Sequence, residues 1–559
     1  MKRKALDLLK LNHQRKEVVL STVSGILTTE PGMIRHFAEN VPSCDMITTK
    51  SYQLRATLGH REPVICSPSD GTYGNFVGLR NPGLDTVLTE LENIRKEHSA
   101  FILNVSLAAN SIEDFILAIG KVAGLADIVE LNFSCPHADS GFGASIGADP
   151  DVAGEYVRRI CGVFKQRDFL IIPKLTPNAK DIAAVAKAVI DAGADGVALI
   201  NTMGPYEYAD PASGEIIFNR REGGKGGMSG ARVKETALDC IRKVRAAIGD
   251  DPVVLGMGGV STPLDVRQML EAGADSVGIG SALASIDFYS YEKYFKALKL
   301  GRDVSSLIRT PYARMQYREH ELLAKEEIGN GCVRLTLSGS ISCSAGEFVF
   351  LWIPQVGEKP FSVSTVEPLT FVVKRRGEFT NAICDAKVGS KIFSRGPYGK
   401  PVELVQSERA LLIAGGSGMA VLPLIAERVS KVFKDIRIKV ALTGDAPESG
   451  KELAGSDFLS KYGPVDYVYD AGVLGRVIGE LSEKDVQGDV ACYVVGPTVM
   501  MNRICERLCS LGADPDKVFM SVESLTLCGI GMCGECYCAG RLPCKEGTFY
   551  KYSEMRSRI

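Results

Sequence analysis

Short apolar runs alternate with segments of helical periodicity over the first 285 residues of the chain. Eight of these runs have the length and composition of buried parallel strands, and they lie at 18–20, 46–48, 101–103, 128–131, 170–172, 197–200, 253–255 and 276–279. Segments between the runs, such as 181–192, place apolar residues at helical spacing. Eight strand-then-helix units predict an α/β fold, a closed parallel (β/α)8 TIM barrel, whose active site is built where the strands end.

Polar residues and glycines follow every predicted barrel strand. They are Ser24 and Gly25, Thr49 and Lys50, Asn104, Asn132 and Cys135, Lys174, Asn201, Gly258 and Gly259, and Gly280 and Ser281. A barrel that served only for packing would not require such a group at each strand end. The pattern therefore predicts that this edge of the barrel carries chemistry.

The pattern changes after about residue 300. Residues 311–405 alternate apolar and polar positions, as at 333–337 and 371–374, which predicts a small antiparallel β-barrel. Residues 408–510 return to strand-helix alternation and predict a Rossmann-like α/β domain. The last residues are rich in Cys and Gly and too few to form a core without a staple. We predict four domains, at 1–305, 306–405, 406–512 and 513–559.

Charge and composition narrow the partners of this chain of 559 residues. It has 65 Lys and Arg against 67 Asp and Glu, so no overall field attracts nucleic acid or an anionic membrane. Asp7 and Lys10 interrupt the first apolar stretch, and no apolar run approaches the ~18 residues of a membrane span. We therefore expect a cytoplasmic protein whose 16 cysteines are thiols, metal ligands or catalysts.

Cys135 is the candidate catalytic residue. It lies in the loop that follows the fourth predicted strand, and a thiol titrating near ~8.5 can serve as a general base once its surroundings favour the thiolate. The alternative is a buried cysteine that acts as a small apolar side chain. Asn75, Asn132 and Asn201-Thr202 favour the first interpretation, since carboxamides supply the paired donors and acceptors that a planar imide ring needs.

Two glycine loops, 256–260 and 278–282, follow the last two predicted strands. In barrels of this kind that corner binds phosphate through backbone N–H groups, so a phosphate-tailed flavin, FMN, is predicted. The alternative is that the glycines only permit tight turns. Lys50 and Lys174 stand at strand ends, where their charge would stabilise a reduced, anionic flavin; the alternative is a lysine that extends to the surface.

These residues resemble the class 1 dihydroorotate dehydrogenases over essentially all of 1–300. The shared motifs are Thr49-Lys50, 75–79 with Asn81-Pro82-Gly83, 132–136, 174–178, Asn201-Thr202, 227–230 and 256–260. The resemblance implies that Cys135 takes the C5 proton of the substrate while C6 delivers hydride to FMN. It implies substrate contacts from Lys50, Asn75, Gly78, Leu79, Asn132, His137, Asn201 and Thr202. It implies FMN contacts from Ser24, Gly25, Thr49, Lys50, Asn104, Asn132, Lys174, Gly230, Gly258, Gly259, Gly280 and Ser281.

His137 departs from the family pattern. Most members have Asn after the Cys-Pro pair, whereas this chain resembles the dihydropyrimidine dehydrogenases at that position. A uracil- or thymine-type substrate is therefore an alternative to dihydroorotate. The segment 75–79 resembles the orotate enzymes and favours dihydroorotate.

Four cysteines near the C-terminus indicate an iron-sulfur cluster. Cys528, Cys533 and Cys536 have the C-x4-C-x2-C spacing of plant-type 2Fe-2S proteins, and Cys544 follows. Zinc sites favour two C-x2-C pairs, and disulfides are unexpected in the cytosol. Cys538 competes as the fourth ligand; we favour Cys544 because 544–547 resembles the closing segment of such cluster loops.

Two further motifs resemble the ferredoxin-reductase-like flavoproteins. An FAD site is implied at Lys359, Pro360, Phe361, Ser362, Val363 and Ser364, with Gly377, Phe379 and Thr380. Without that context the serine-rich strand would be plain edge structure. A pyridine-nucleotide site is implied at Gly415, Gly416, Gly418, Gly496 and Pro497, and the absence of an arginine beside 443–445 favours NAD over NADP.

Residues 310–559 together resemble the electron-transfer subunit of the NAD-linked class of dihydroorotate dehydrogenase, here fused to the catalytic half. The resemblance implies oxidation of dihydroorotate to orotate in pyrimidine (UMP) biosynthesis, with electrons passing from FMN through 2Fe-2S and FAD to NAD, and a homodimer formed through the barrel. The alternative from another class is an electron-transfer protein with a non-catalytic barrel. The set Asn75, Asn132, Cys135 and Asn201 argues against that alternative.

Overall fold

The structure, a computed structural model, describes residues 5–10, 17–133, 146–329, 331–443, 459–470 and 475–556. The chain forms two compact units. The first contains residues 1–313 and the short segment Ile530–Glu535, and the second contains Arg314–Gly529 and 536–559. The division into four domains stays a prediction.

Twelve strands lie in the described residues of the first unit. They are β1 Leu20–Thr22, β2 Met46–Thr48, β3 Ile65–Ser69, β4 Thr72–Asn75, β5 Ile102–Leu107, β6 Ile128–Asn132, β7 Leu170–Lys174, β8 Gly196–Leu199, β9 Met203–Glu207, β10 Lys225–Gly230, β11 Val253–Met257 and β12 Ser276–Ile279. Eight of them close into a parallel barrel in the order β1-β12-β11-β8-β7-β6-β5-β2. The predicted barrel is confirmed, and each predicted run overlaps one barrel strand. β5 extends beyond its predicted run, so Asn104 lies inside a strand instead of after one.

Helices alternate with the barrel strands. They are Pro31–Asn40, Leu84–Glu97, Ile112–Val122, Pro150–Val163, Ile182–Asp191, Lys234–Ile248, Pro263–Glu271 and Tyr291–Lys299, with 3-10 turns at Ile146–Ala148, Arg220–Glu222, Ala231–Val233, Ser281–Ser285, Phe288–Ser290 and Ser305–Leu307. Side-chain caps fix where several begin: Asp181 accepts the N–H groups of Ala183 and Ala184, both at 3.0 Å. The predicted helix at 181–192 is confirmed.

The amino-terminal end of the barrel is apolar. Ala5 and Leu9, from a helical turn at 5–10, are fully buried and share a core cluster with strand residues such as Val19, Met46 and Leu170. Apolar packing at this end leaves the carboxyl ends of the strands as the polar edge, which we call the barrel mouth.

A second sheet in the first unit was not predicted. β3, β4, β10 and β9 form a four-stranded sheet in that order, and its pairings are antiparallel. Asn75 ends β4 and pairs with Gly227 of β10. This small sheet therefore carries two of the predicted site residues, Asn75 and Gly230.

The second unit begins with an antiparallel sheet. Its strands are β13 Arg318–Gly329, β14 Cys332–Leu337, β15 Phe348–Ile353, β16 Gly357–Phe361, β17 Thr365–Val366, β18 Leu369–Lys374 and β19 Lys391–Tyr398, with helices Tyr312–Met315 at the start of the unit and Glu378–Asp385 between β18 and β19. The order is β16-β15-β19-β13-β14-β18-β17. The alternating segments at 333–337 and 371–374 lie in β14 and β18, which confirms the antiparallel character predicted for this region.

The rest of the second unit is a mixed α/β sheet. Its strands are β20 Arg409–Gly415, β21 Asp435–Thr443, β22 Val465–Asp470, β23 Val490–Val495, β24 Val518–Ser521 and β25 Phe549–Lys551; its helices are Leu422–Ser430, Arg476–Glu480, Glu483–Val486, Thr498–Ser510, Pro543–Glu546 and Tyr552–Met555, with a 3-10 turn at Gly416–Val421. The order β22-β21-β20-β23-β24-β25 is parallel except at β25. The predicted Rossmann-like domain is confirmed. Across the described parts of both units, no helix is both long and apolar enough to cross a bilayer.

Candidate active site

A chain of hydroxyl and amide groups joins the strand ends at the barrel mouth. Ser51 Oγ lies 2.9 Å from Ser24 Oγ and 2.9 Å from Ser106 Oγ, and it accepts a hydrogen bond from Asn132 Nδ2 at 3.1 Å. These four residues come from β1, β2, β5 and β6 or the turns that follow them. Ser24 and Asn132 were predicted, but Ser51, which connects them, was not.

The predicted amide residues continue this chain. Asn201 Nδ2 donates to Asn132 Oδ1 at 3.3 Å, and Asn201 Oδ1 accepts the N–H of Thr202 at 2.8 Å. Asn75 Nδ2 donates to Gly227 O at 3.0 Å. A Cβ at Gly227 would lie 2.2 Å from Thr202 Oγ1 and 3.3 Å from Asn75 Nδ2. Three of the predicted asparagines and Thr202 therefore meet on one side of the mouth.

Two lysines bring positive charge to the same place. A Cβ at Gly25 would lie 3.4 Å from Lys50 Nζ, so the glycine leaves room for the ammonium group. Burial lowers the pKa of Lys50, Glu535 and Cys533 raise it, and Lys174 lowers it further. Two lysines in a partly enclosed site favour an anionic ligand.

Glu130 was not predicted, although it interrupts an apolar strand. The residue is fully buried in β6; its Oε1 accepts from Ser106 Oγ at 2.9 Å and lies 3.7 Å from Lys174 Nζ. Its Oε2 has no hydrogen-bond partner among the described residues. Glu130 thus extends the mouth network to Lys174 and retains an acceptor that a ligand could use.

Thr49 follows β2, and Asn104 lies in the neighbouring strand β5. Thr49 Oγ1 accepts the N–H of Ser106 at 3.1 Å, and Asn104 Nδ2 donates to Thr48 Oγ1 at 3.2 Å. The side-chain oxygen of Asn104, Oδ1, is buried and has no hydrogen-bond partner in the described part of the chain. A buried orphan acceptor is expected to meet a donor from a bound group.

Glycines shape the corner predicted to bind phosphate. Gly230, Gly258 and Gly259 have φ values of 91°, 126° and 75°, which favour glycine. A Cβ at Gly259 would lie 2.9 Å from Gly230 O, so the two loops approach too closely for a side chain. Gly280 and Ser281 open a 3-10 turn after β12, the neighbour of β11. The predicted glycines therefore converge.

Gly78 and Leu79 form a sharp turn after Asn75. Both have positive φ values, 66° and 54°, and a Cβ at Gly78 would lie 2.7 Å from the backbone nitrogen of His60. Leu79 is the unusual member, since bulky residues seldom adopt this conformation outside functional loops. Arg80, which was not predicted, follows directly, and its Nε lies 3.3 Å from Glu535 Oε2.

The segment Ile530–Glu535 reaches the same part of the first unit. Met532 O accepts the N–H of Leu27 at 2.8 Å, and Cys533 O accepts from Thr29 Oγ1 at 2.9 Å. Cys533 and Glu535 also shift the pKa of Lys50. The predicted cluster ligand Cys533 therefore lies close to the predicted flavin lysine.

Cys135 and His137 fall within 134–145, outside the described residues. The chain on either side is described: Phe133 is buried, and its carbonyl accepts the N–H of Gly147 at 2.8 Å. The last described residue before Cys135 therefore lies directly after Asn132.

Known proteins match the part of the chain that forms the barrel. The family model of dihydroorotate dehydrogenase matches residues 19–300, which is half of the 559 residues. The chain belongs to the dihydroorotate dehydrogenase family. It is therefore an oxidoreductase, and family membership implies a flavin.

Curated relatives agree with this assignment. The catalytic subunit of dihydroorotate dehydrogenase B (NAD(+)) from Methanothermobacter thermautotrophicus is 37% identical over 237 residues, which cover 42% of this chain and 74% of that protein. Its counterpart from Methanocaldococcus jannaschii is 33% identical over 262 residues, covering 46% and 81%. A solved NADH-dependent reduced ferredoxin-NADP oxidoreductase aligns with 42% of this chain and 88% of its own at 23% identity, with a TM-score of 0.37. A score below 0.5 does not establish a shared fold.

The barrel mouth fits an FMN. The buried orphan oxygen of Asn104 accepts a donor, the two lysines attract an anionic group, and the glycine corner exposes backbone where a phosphate would bind. Ser24, Gly25, Thr49 and Asn132 lie around the same groups. Every predicted FMN residue belongs to the described part of the first unit.

Three of the four predicted cluster cysteines meet in the second unit. Cys528, Cys536 and Cys544 are buried, and the Sγ atoms of Cys536 and Cys544 are 3.3 Å apart. The neighbouring thiols of Cys528 and Cys536 raise the pKa of Cys544 well above its usual value. The raised pKa means that the Cys544 thiolate is disfavoured without a metal. Bound iron would stabilise it, because a bound cation stabilises thiolates. Cys538 instead pairs its backbone with Arg541.

No group of three or more His, Cys, Asp or Glu side chains in the described residues is arranged to hold a single metal ion. A 2Fe-2S cluster requires only thiolates, supplied by four cysteines around two irons. The donor chemistry fits that requirement at Cys528, Cys536 and Cys544, whose thiols are buried and interact with one another.

The predicted FAD residues lie on the edge of the antiparallel sheet and on the adjacent helix. Lys359, Pro360 and Phe361 are in β16, and the centroid of the Phe361 ring is 6.1 Å from that of Phe379. Ser362, Val363 and Ser364 follow that strand, and the Ser364 hydroxyl donates to Ala420 O. Thr380 Oγ1 accepts the N–H of Gly377 at 2.9 Å. Thr380 thus caps the start of helix Glu378–Asp385.

The predicted nucleotide glycines lie at the carboxyl ends of β20 and β23. A Cβ at Gly418 would lie 2.7 Å from Val495 O, and one at Gly496 would lie 3.1 Å from Gly415 O. Gly416 has a φ of 55°, and Pro497 precedes helix Thr498–Ser510. The order β21-β20-β23 makes this the point where nucleotides bind in open α/β sheets. Gly444 and Asp445 belong to the segment from which NAD was favoured over NADP, and both lie outside the described residues.

Proposed function

We propose that this protein oxidises dihydroorotate to orotate in pyrimidine biosynthesis and delivers the electrons to NAD. The observation that carries the proposal is the convergence of amide, hydroxyl and ammonium groups at the barrel mouth. Asn75, Asn132, Asn201 and Thr202 are linked there by short contacts, and Lys50 stands at Gly25 in the same edge. The family match covers this region.

The mouth residues suit the chemical groups of the substrate. Dihydroorotate has ring N–H and C=O groups that alternate and a carboxylate. Amide side chains can pair with both kinds of ring group, and Asn132 and Asn201 already exchange such a bond at 3.3 Å. Lys50 offers its charge to the carboxylate or to the reduced ring system. Gly78 and Leu79 would contribute backbone groups from the turn after Asn75.

Cys135 would act as the general base. In the sequence it stands three residues after Asn132, which ends β6 at the barrel mouth. A thiolate there would remove the C5 proton of the substrate. His137 would lie near the same ring. Both roles follow from the family resemblance.

The cofactors would be held by the residues that the sequence predicts. When bound, FMN would supply the hydride acceptor, and the 2Fe-2S and FAD groups would supply the electron transfer to NAD. Cys528, Cys533, Cys536 and Cys544 would bind the cluster, residues 359–364 with Gly377, Phe379 and Thr380 would bind FAD, and Gly415, Gly416, Gly418, Gly496 and Pro497 would bind NAD. Within the first unit, Met532 O and Cys533 O accept hydrogen bonds from the Leu27 N–H and from Thr29 Oγ1, which supports a place for Cys533 beside the predicted flavin site.

Anaerobic mixing tests the substrate. The oxidised protein is mixed with dihydroorotate or with dihydrouracil, and the absorbance of the bound flavin is followed. We expect dihydroorotate to bleach the flavin and yield orotate, whereas dihydrouracil leaves it oxidised. Reduction by dihydrouracil alone would establish the dihydropyrimidine alternative. Reduction by neither would leave a barrel without turnover.

The Cys135→Ala variant tests the base. We expect the variant to keep the yellow flavin spectrum and to lose reduction by dihydroorotate, because no other thiol replaces the missing proton acceptor. Cys161→Ala is the matched control, since Cys161 lies on helix Pro150–Val163 and its thiol contacts Gly193 O. Normal turnover in Cys135→Ala would contradict the assignment.

A further inference from the structure

A buried ion pair lies next to the cluster cysteines of the second unit. Arg395 in β19 is 2% exposed and Glu358 in β16 is 0% exposed. Arg395 Nε donates to Glu358 Oε1 at 2.7 Å, and Arg395 Nη2 donates to Glu358 Oε2 at 2.6 Å. This two-point contact fixes the orientation of the guanidinium plane.

The remaining contacts of the pair are also specific. Arg395 Nη1 donates to Tyr398 Oη and to the carbonyl oxygen of Cys528, each at 2.9 Å. Tyr317 Oη donates to Glu358 Oε1 at 2.7 Å. The guanidinium carbon lies 4.2 Å from the centroid of the Phe350 ring. Glu358 does not use Nη1 of Arg395. Arg395 thus uses this nitrogen to hold the main chain of Cys528, which is a predicted cluster ligand.

The end of β19 holds a second predicted ligand. The N–H of Gly399 donates to Cys544 O at 2.9 Å. A Cβ at Gly529 would lie 2.9 Å from the Tyr398 ring, so the ring packs directly against the residue after Cys528. Strand β19 and its continuation therefore support the backbone at both Cys528 and Cys544.

Stability alone does not account for this pair. Removing two charges from water is costly, and apolar side chains of similar volume often stabilise a core as well or better. An apolar pair could not donate to Cys528 O, and it would place no charge beside the cysteines. Charge and hydrogen bonding around an iron-sulfur cluster are the means by which proteins set its potential.

We propose that Arg395 and Glu358 are positioning residues that hold Cys528 and set the reduction potential of the 2Fe-2S cluster. The inference rests on the cluster assignment in the proposed function. Reduction adds one electron to the cluster and breaks no bond, so a nearby positive charge favours the reduced form. Glu358 limits that effect by neutralising Arg395. Because Glu358 directly precedes Lys359, the pair also joins the predicted FAD strand to the cluster loop.

A redox titration of the full-length protein, followed by the EPR signal of the reduced cluster, tests the proposal. Glu358→Gln keeps the shape of the side chain but leaves the Arg395 charge unneutralised, so the potential should rise. Arg395→Gln removes the positive charge and the donor to Cys528, so the potential should fall. We expect each shift to change the ratio of reduced to oxidised cluster by about tenfold, about 59 mV for one electron.

Shifts of opposite sign distinguish this role from simple loosening of the fold, which would move both variants in the same direction. Arg395→Lys should keep the potential near that of the wild type, since the charge remains. Arg375→Met is the control, because Arg375 pairs with Glu327 and Asp385 on the surface, and it should cause no shift.

The outcomes are separable. If Arg395→Gln loses its cluster, Glu358→Gln decides alone, and an unchanged potential in that variant overturns the proposal. Shifts in the same direction overturn it too, as does a wild-type protein without a 2Fe-2S signal. Opposite shifts in a protein that dihydroorotate does not reduce would support the positioning pair and reject only the proposed substrate.

Discussion

The barrel mouth of the first unit and the buried ion pair of the second unit satisfy their polar groups differently. In the mouth, Lys174 and Glu130 approach to only 3.7 Å, and Glu130 Oε2 and Asn104 Oδ1 have no partner among the described residues. In the second unit, Arg395 and Glu358 meet at two points, 2.6 and 2.7 Å. One arrangement leaves acceptors for a ligand; the other uses its groups internally.

The difference separates two kinds of function. A buried polar group without a partner costs free energy unless something binds to it, so the mouth is organised to bind another molecule. A saturated pair cannot bind a ligand without losing a bond, so it can only hold its neighbours. Substitutions in the mouth should therefore affect activity, whereas substitutions in the pair should affect stability and the cluster.

The largest expected effect is on the stability of the second unit. Arg395→Met leaves Glu358 buried without its partner, which should lower the free energy of unfolding of that unit by about 3–5 kcal/mol. The double variant Arg395→Met/Glu358→Leu should recover most of the loss, because it leaves no unpaired charge. Differential scanning calorimetry compares the two. If Arg395→Met were as stable as the wild type, Glu358 would not depend on Arg395 as its partner, and the description of the pair as saturated would be wrong.

Lys50→Met should have a large effect on activity and a small one on stability. Loss of one charged donor at a reacting centre typically lowers turnover by about 10²–10³-fold. Flavin reduction by dihydroorotate, measured per bound flavin, reports it. Lys187→Met is the control, since Lys187 pairs with Asp191 on the surface. If both variants reduced flavin equally fast, Lys50 would have no part in the chemistry.

A smaller effect is expected from the contact between Ser51 and Asn132. Because of this contact, the effect of substituting one residue on orotate binding should depend on the other. Ser51→Ala and Asn132→Ala each weaken the hydroxyl-amide chain, and their combined effect on orotate affinity should differ from the sum by about 0.5–3 kcal/mol. Isothermal calorimetry on the two single variants and the double variant measures the coupling. Strict additivity would mean that Ser51 does not organise the mouth.

The smallest expected effect concerns acid stability of the first unit. Burial lowers the pKa of His36 to about 4 from 6.5, and its ring stacks on Phe288 at 4.3 Å. Between these values the unfolded chain binds more protons, so stability falls as pH drops through this window and levels off below it. We expect a loss of about 1–2 kcal/mol after screening.

Thermal unfolding of His36→Phe between those pH values checks this expectation. In His36→Phe the part of the acid-induced loss of stability that is due to His36 should be absent. In the control His98→Gln, which changes a histidine 3.5 Å from Glu39, that part should remain. An unchanged pH dependence in His36→Phe would place the acid sensitivity elsewhere. The second-unit transition should not respond to either variant.

Most of the fold could be predicted because its strands coincide with short apolar or alternating runs in the sequence. The residues at the barrel mouth followed from their positions after those runs. The sheet formed by β3, β4, β9 and β10 was missed, since segments such as 225–230 are rich in glycine and have no apolar alternation. Its pairing depends on contacts between residues far apart in the chain.

The connecting residues of both regions were also missed, for physical reasons. Ser51 and Ser106 are small hydroxyls whose role depends on distances between strands, which a sequence does not contain. Glu130 gave a usable signal, because a carboxylate inside an apolar strand requires a partner. Arg395 and Glu358 are on strands separated by β15 in the sheet, so neither residue indicates the other.

One measurement tests the central claim most directly. The full-length protein is titrated with dihydroorotate under anaerobic conditions while flavin absorbance and the EPR signal of the cluster are followed together. We predict that dihydroorotate bleaches the flavin, that a 2Fe-2S signal grows with it, and that added NAD reverses both. Flavin bleaching without a cluster signal, or no bleaching at all, would contradict the account.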